Sequence, residues 1–137
     1  MRATRHRIAR EDGVAAVEFA IILPVLALLL FGVLEFGRVW SQYQVFQGAA
    51  REGARCAAVA STSDCDIEDE ITAAAEPYSP NAPFTITVNG SGASQGCAAN
   101  DAGKDVAVSW QQPLNIDIPF WNNVTVTPTI KAVFRCE

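Results

Sequence analysis

Glycines at positions 90, 92 and 96, in the pattern Gly90-x-Gly92-x-x-x-Gly96, are the residue type that cradles phosphates with backbone amides. The third glycine falls one residue late and no helix follows it, so a flexible strand connection is the better reading. Asp64, Asp66 and Glu68 alternate as calcium ligands do, but Asp69 stands where such a loop needs its turning glycine. Carboxylates at the positive end of a short helix explain them better. Ser61, Ser63 and Ser109 are nucleophile types, yet the single histidine, His6, lies in a basic head at the other end of the chain and leaves nothing to activate a hydroxyl. With that one histidine in 137 residues, hydrolytic triads and histidine-rich metal sites are nearly excluded by counting. Trp110, Trp121, Phe120 and Phe134 fit a sheet core or a partner surface better than a cofactor site. The expectation is a protein that is not an enzyme and holds no metal or cofactor.

Two further groups keep a role. Cys56, Cys65, Cys97 and Cys136 contain no Cys-x-x-Cys pair of the kind that zinc and redox sites use, and an even count reads as two disulfides. Three pairings are possible. Cys56 with Cys65 and Cys97 with Cys136 is favoured, because the first is local and the second would tie a loop to the C-terminal strand. Each bridge contributes about 3 to 4 kcal/mol by chain entropy. Glu18 is the other: a carboxylate one turn inside an apolar segment costs up to about 2.5 to 3.5 kcal/mol at a bilayer centre, and less near its edge. If the chain were cut after Gly13, the new amine on Val14 would lie one helical turn from Glu18, and the amine of a neighbouring subunit could neutralise it.

The element that carries Glu18 is the most informative stretch of the chain. Val14 to Leu34 holds that single charge, and Phe19 to Leu34 is uncharged throughout. As a helix it would extend roughly 31 Å, the thickness of a hydrocarbon core. Before it stand Arg2, Arg5, Arg7 and Arg10 against Glu11 and Asp12; from Val14 to the end of the chain the balance is acidic, six basic residues against thirteen acidic ones. A basic head favours a cytoplasmic N-terminus, with everything beyond Glu35 on the outer side. A secretory signal would have a shorter apolar region and then a small-residue cleavage site, whereas here helical pattern continues into Glu35-Phe36-Gly37-Arg38. A buried soluble helix is disfavoured because this run would need a larger protein around it. The overall net charge of -5 offers no basic surface to a nucleic acid, so no nucleic-acid partner is expected.

Beyond the apolar run, Phe36, Val39, Tyr43, Phe46, Ala50, Gly53 and Ala57 recur at intervals of three and four, the seam of a helix continuing to about Ala58. The whole helix would be roughly 65 to 70 Å long, so its outer half must lie against something. Asp66, Glu68, Asp69 and Glu70 open a short helix from about Ile67 to Glu76, closed by Pro77, Pro80 and Pro83. Period-two alternation in 84–88, 106–110, 124–126 and 130–134 predicts three or four antiparallel strands, with long loops at Gly90 to Gly103 and Pro113 to Asn123. The expected architecture is α+β: a long N-terminal helix, transmembrane in its first half, packed on a small disulfide-linked antiparallel sheet. Residues 1–13 form a basic cytoplasmic leader, 14–60 the transmembrane and assembly helix, and 61–137 an outer α+β domain. Pro24 lacks an amide donor and would clash with the Ala20 carbonyl, which predicts a kink or local unwinding.

Gly13-Val14-Ala15-Ala16-Val17-Glu18-Phe19-Ala20 with Leu23-Pro24, then Glu35-Phe36-Gly37-Arg38, then Ala49-Ala50-Arg51-Glu52-Gly53-Ala54-Arg55 closely resembles the TadE-like family of tight-adherence (Tad) pilus proteins, minor pilins or pseudopilins of the type IVc system. The resemblance covers about residues 10 to 60; the sheet region and the closing Arg135-Cys136-Glu137 fit more loosely. It implies that Gly13 precedes a prepilin-peptidase cut, that Val14 becomes the N-terminus, and that Glu18, Phe19 and Pro24 belong to the assembly and recognition segment. Phe19 stands where the best-known prepilin motif has Tyr. The implied partners are the prepilin peptidase, other pilins and minor pilins, the inner-membrane assembly platform and the membrane itself. A role in initiating, priming or joining a pilus follows from that likeness. The alternative is an unprocessed single-pass membrane protein whose outer domain binds a partner in the envelope.

Overall fold

The computed structural model describes residues 5–60, 65–118 and 122–137, with residues 5–12 described by their backbone alone. Ser61, Ser63, Asp64, Phe120 and Trp121, singled out above, lie outside the described residues.

Helix α1 runs from Arg5 to Ala58 without a break, roughly 81 Å at about 1.5 Å per residue. It begins before Val14 because residues 5–12 contain no helix breaker and several good helix formers. Pro24 sits inside α1 and the helix continues through it. The local unwinding expected there does not occur, since one missing backbone bond is outweighed by the unbroken ladders on either side.

Helix α2, Ile67–Ala74, starts at Asp66, whose carboxylate accepts the backbone amides of Glu68 at 3.0 Å and Asp69 at 3.2 Å. It stops two residues short of the expected Glu76, ahead of Pro77, whose ring disfavours helical geometry in the residue before it. Ile67 and Ile71 turn inward and pack against the outer half of α1.

The strands are β1 Thr85–Val88, β2 Ser91–Gly92, β3 Asp105–Gln111, β4 Leu114–Ile116, β5 Val124–Val126 and β6 Thr129–Arg135. The main sheet is antiparallel in the order β2-β1-β3-β6. Its register opposes Ile86 to Val108, Val88 to Val106 and Trp110 to Ile130, so one face is continuously apolar, and α1 packs along β3 and β6. Phe46, Ala49, Ala50, Ala54 and Ala57 of α1 are buried with it. The predicted seam therefore holds from Val39 onward, while Phe36 points away and is exposed.

Two connections differ from the reading as long loops. Asn89 (φ 49°) and Gly90 (φ 80°) form a two-residue hairpin between β1 and β2, the Asn-Gly turn whose positive φ angles match strand twist. Residues 113–123 contain β4, which pairs with β5 as a separate ribbon and removes β5 from the main sheet. Short segments of this kind carry too few alternating positions to register as strands by pattern.

Cys56 is bonded to Cys65 and Cys97 to Cys136. The second bridge joins the two segments that cap the end of α1: the Cys97 amide donates to the Ala57 carbonyl at 2.9 Å and the Glu137 amide to the Ala58 carbonyl at 3.3 Å.

Candidate functional site

From Gly13 to Leu34, α1 is exposed almost throughout. Val14, Val17, Phe19, Ile21, Ile22, Leu30 and Leu34 are all exposed. A soluble protein rarely leaves an apolar surface of this extent uncovered. Among the described residues, α1 is the one helix long and apolar enough to cross a membrane. Such a helix is compatible with single-pass anchoring.

Glu18 is exposed on this surface. One turn away on either side stand Val14, Ala15, Ile21 and Ile22, none of which can neutralise a carboxylate. Among the described residues the Glu18 side chain makes no hydrogen bond or ion pair. A partner for it must come from outside this stretch of helix. Gly13 and Val14 are likewise exposed and lie within continuous helix, and so do Phe19 and Pro24.

The apolar run ends in a polar collar. Glu35 and Arg38, one turn apart, pair through two hydrogen bonds, the Arg38 Nε bond being 2.9 Å long. Arg38 also donates to the Asn115 carbonyl at 2.8 Å and lies 3.5 Å from the Asp117 carboxylate. Glu35 in turn accepts the Asp117 backbone amide at 2.9 Å. The Arg38 hydrogen bond, then the Asp117 amide, pull the Glu35 carboxyl down from 4.5 to about 2. Above the collar, Phe36 stacks on Trp40 with centroids 6.1 Å apart, and Trp40 meets Tyr43 at 5.9 Å.

The sequence places Glu35 and Arg38 at opposite-charge spacing directly after an apolar run, which is a readable signal for an ion pair. Their contacts with Asn115 and Asp117 were not readable, because those partners arrive from a strand about eighty residues away.

The small-residue stretch Ala49 to Ala58 packs against the chain's own α2 and sheet. A Cβ on Gly53 would strike the buried Ile71 side chain, and one on Gly96 (φ 82°) would lie 2.5 Å from the Ala57 carbonyl oxygen. Elsewhere, Asp66 caps α2, Gly90 turns a hairpin and Ser109 lies on the outward side of β3, so none of these converges on a reacting group. Trp110 is buried, donates its indole N–H to Gln112 at 3.0 Å and meets Phe84 edge-on at 5.2 Å. A cleft of about 400 Å³ lies beside the start of α2, lined by Asp66, Ile67, Ile86 and Ser94 among others.

Residues 13–55 match the family model described as TadE-like protein. The matched segment lies wholly within α1 and stops before α2 and the sheet. No curated protein and no solved structure matches the chain.

Proposed function

We propose that this protein is a minor pilin or pseudopilin of a tight-adherence, type IVc pilus. It is anchored in the bacterial inner membrane by the first half of α1, basic end in the cytoplasm and sheet outside. It acts in initiating, priming or joining the pilus, and so in surface adhesion. One observation carries the reading: Gly13, Val14 and Glu18 stand in register at the head of an uncovered apolar helix, and nothing within one turn of Glu18 can neutralise it. Cutting after Gly13 would supply an amine and remove the four arginines that hold the N-terminus at the cytoplasmic face. The helix could then leave the bilayer for a filament more readily, and Glu18 would pair with the amine of a neighbouring pilin. The prepilin peptidase, other pilins and the assembly platform are the corresponding partners.

The continuity of α1 across the Gly13–Val14 bond favours a second reading, since a peptidase needs an extended chain there. In that reading the protein remains an uncleaved single-pass anchor whose outer domain binds a partner in the envelope. Intact mass of the protein from its native membrane separates the two. A chain beginning at Val14 supports the pilin reading, and one still beginning at Met1 or Arg2 removes processing from it. Glu18→Gln is expected to abolish pilus assembly with normal membrane insertion; unimpaired assembly would overturn the role given to Glu18.

A further inference from the structure

The chain entering β4 runs back along α1 toward its apolar half. Pro113 and Leu114 line a cavity of about 210 Å³ with Phe46 and Gln42. Next, Asn115 meets Arg38 and Asp117 meets Glu35. Two residues of extended chain advance about 6.6 Å while α1 recedes about 4.5 Å from Arg38 to Glu35, so the two run side by side in opposite directions. Glu35 is the first charge after the apolar run. Ile118 therefore follows Asp117 at the level of the last apolar turn of α1.

Strand β5 returns from that same end, with Val124 opposite Ile116 and Val126 opposite Leu114. Opposed residues of an antiparallel pair share a face. The ribbon thus has a polar face, where Thr125 donates to the Asn115 side chain at 2.8 Å, and an apolar face of Leu114, Ile116, Val124 and Val126. Leu114 is buried under α1, but Val124 is 45% exposed, Val126 40% and Ile118 38%. Phe36 and Trp40 stack in the open at a neighbouring level of α1.

We infer that the lower end of this ribbon, Ile118 with Val124, is seated in the outer interface of the bilayer that α1 crosses, so that the protein meets lipid at a second place. The inference rests on the membrane reading of α1. Its occupant is lipid at the headgroup–acyl boundary, because the Glu35–Asp117 contact holds the exposed apolar end of the ribbon beside the last apolar turn of the span. Trp and Phe are the side chains that settle at this depth. Glu35, Arg38 and Asp117 together leave one negative charge, so the attraction is apolar and owes nothing to anionic lipid. The ribbon then sets how deeply and at what tilt α1 sits.

The test uses methyl NMR on the full chain in phosphatidylcholine nanodiscs carrying a lipid with a spin label near the headgroup. Ile118 and Val124 are expected to broaden as strongly as Val33 of the span, while Val108 and Ile130 of the sheet core stay sharp. Ile118 and Val124 as sharp as Ile130, with Val33 broadened, overturns the second contact and leaves the span intact. Val33 also sharp overturns the membrane reading itself. The Ile118→Asp, Val124→Asp double variant is expected to lose the broadening at Val126, and full retention of it would count against the ribbon as the contact.

Discussion

Glu35 accepts the backbone amide of Asp117 across 82 residues of sequence, at 2.9 Å. Arg38, one turn further along α1, holds both the Glu35 carboxylate and the Asn115 carbonyl. These contacts fasten the β4–β5 ribbon to the helix where its apolar run ends.

Replacing Glu35 by Gln keeps the shape of the side chain and removes the charge that Arg38 and the Asp117 amide address. Hydrogen exchange at the Asp117 amide is expected to rise by roughly tenfold, because a charged acceptor is replaced by a neutral one. The amides of β3 and β6 should exchange as before. Unchanged exchange at Asp117 would show that the ribbon is held by packing alone.

The same contact has a defined pH window. Because the Glu35 carboxyl is held near 2 instead of 4.5, its contribution is fully present above about 4.5. It is lost progressively as pH falls and is gone below about 2. The Asp117 amide chemical shift, which follows the folded-state carboxyl, should thus be flat down to about pH 3.5 and titrate only toward about 2. Asp101 is lowered in the same direction, first by the Lys104 hydrogen bond and then by the Ala98 amide. The Ala98 amide serves as an internal control of the same sign. Titration of Asp117 between pH 5 and 7 would contradict the arrangement.

Gly53 has no room for a side chain. A methyl there would strike Ile71, whose Cδ1 lies 2.7 Å from the added atom and whose side chain is fully buried. Gly53→Ala is expected to destabilise by about 1 to 3 kcal/mol through overpacking. In a double-mutant cycle with Ile71→Ala, the double variant should lose less than the sum of the two single losses, measured by urea unfolding of the full chain in detergent. Additive losses would mean that α1 and α2 do not meet as described.

The two disulfides should differ in weight. Cys56–Cys65 closes a separation of 9 residues and Cys97–Cys136 one of 39. Chain entropy assigns them about 3 and about 4 kcal/mol. The longer bridge also joins the segments that cap the Ala57 and Ala58 carbonyls. Replacing Cys97 and Cys136 by Ala is expected to lower the urea midpoint more than replacing Cys56 and Cys65. The reverse order would place the cap outside the cooperative unit.

The sequence by itself determined the long helix, its uncovered apolar half and the inward seam from Val39 to Ala57, because these depend on composition and on a local period of 3.6 residues. The Asn89-Gly90 turn carries its chemistry in two residues, yet the glycine-rich stretch that follows it reads as one long loop, and the structure corrects that expectation. Alternation in 106–110 and 130–134 pointed to the sheet for the same local reason. Only the tertiary structure decided that β5 leaves the main sheet for β4, that Gly53 admits Ile71, and that Glu35 and Arg38 hold Asp117 and Asn115. Each of these depends on which distant backbone arrives beside a given side chain, and strand partners and close approaches carry no periodic mark in the chain that makes them.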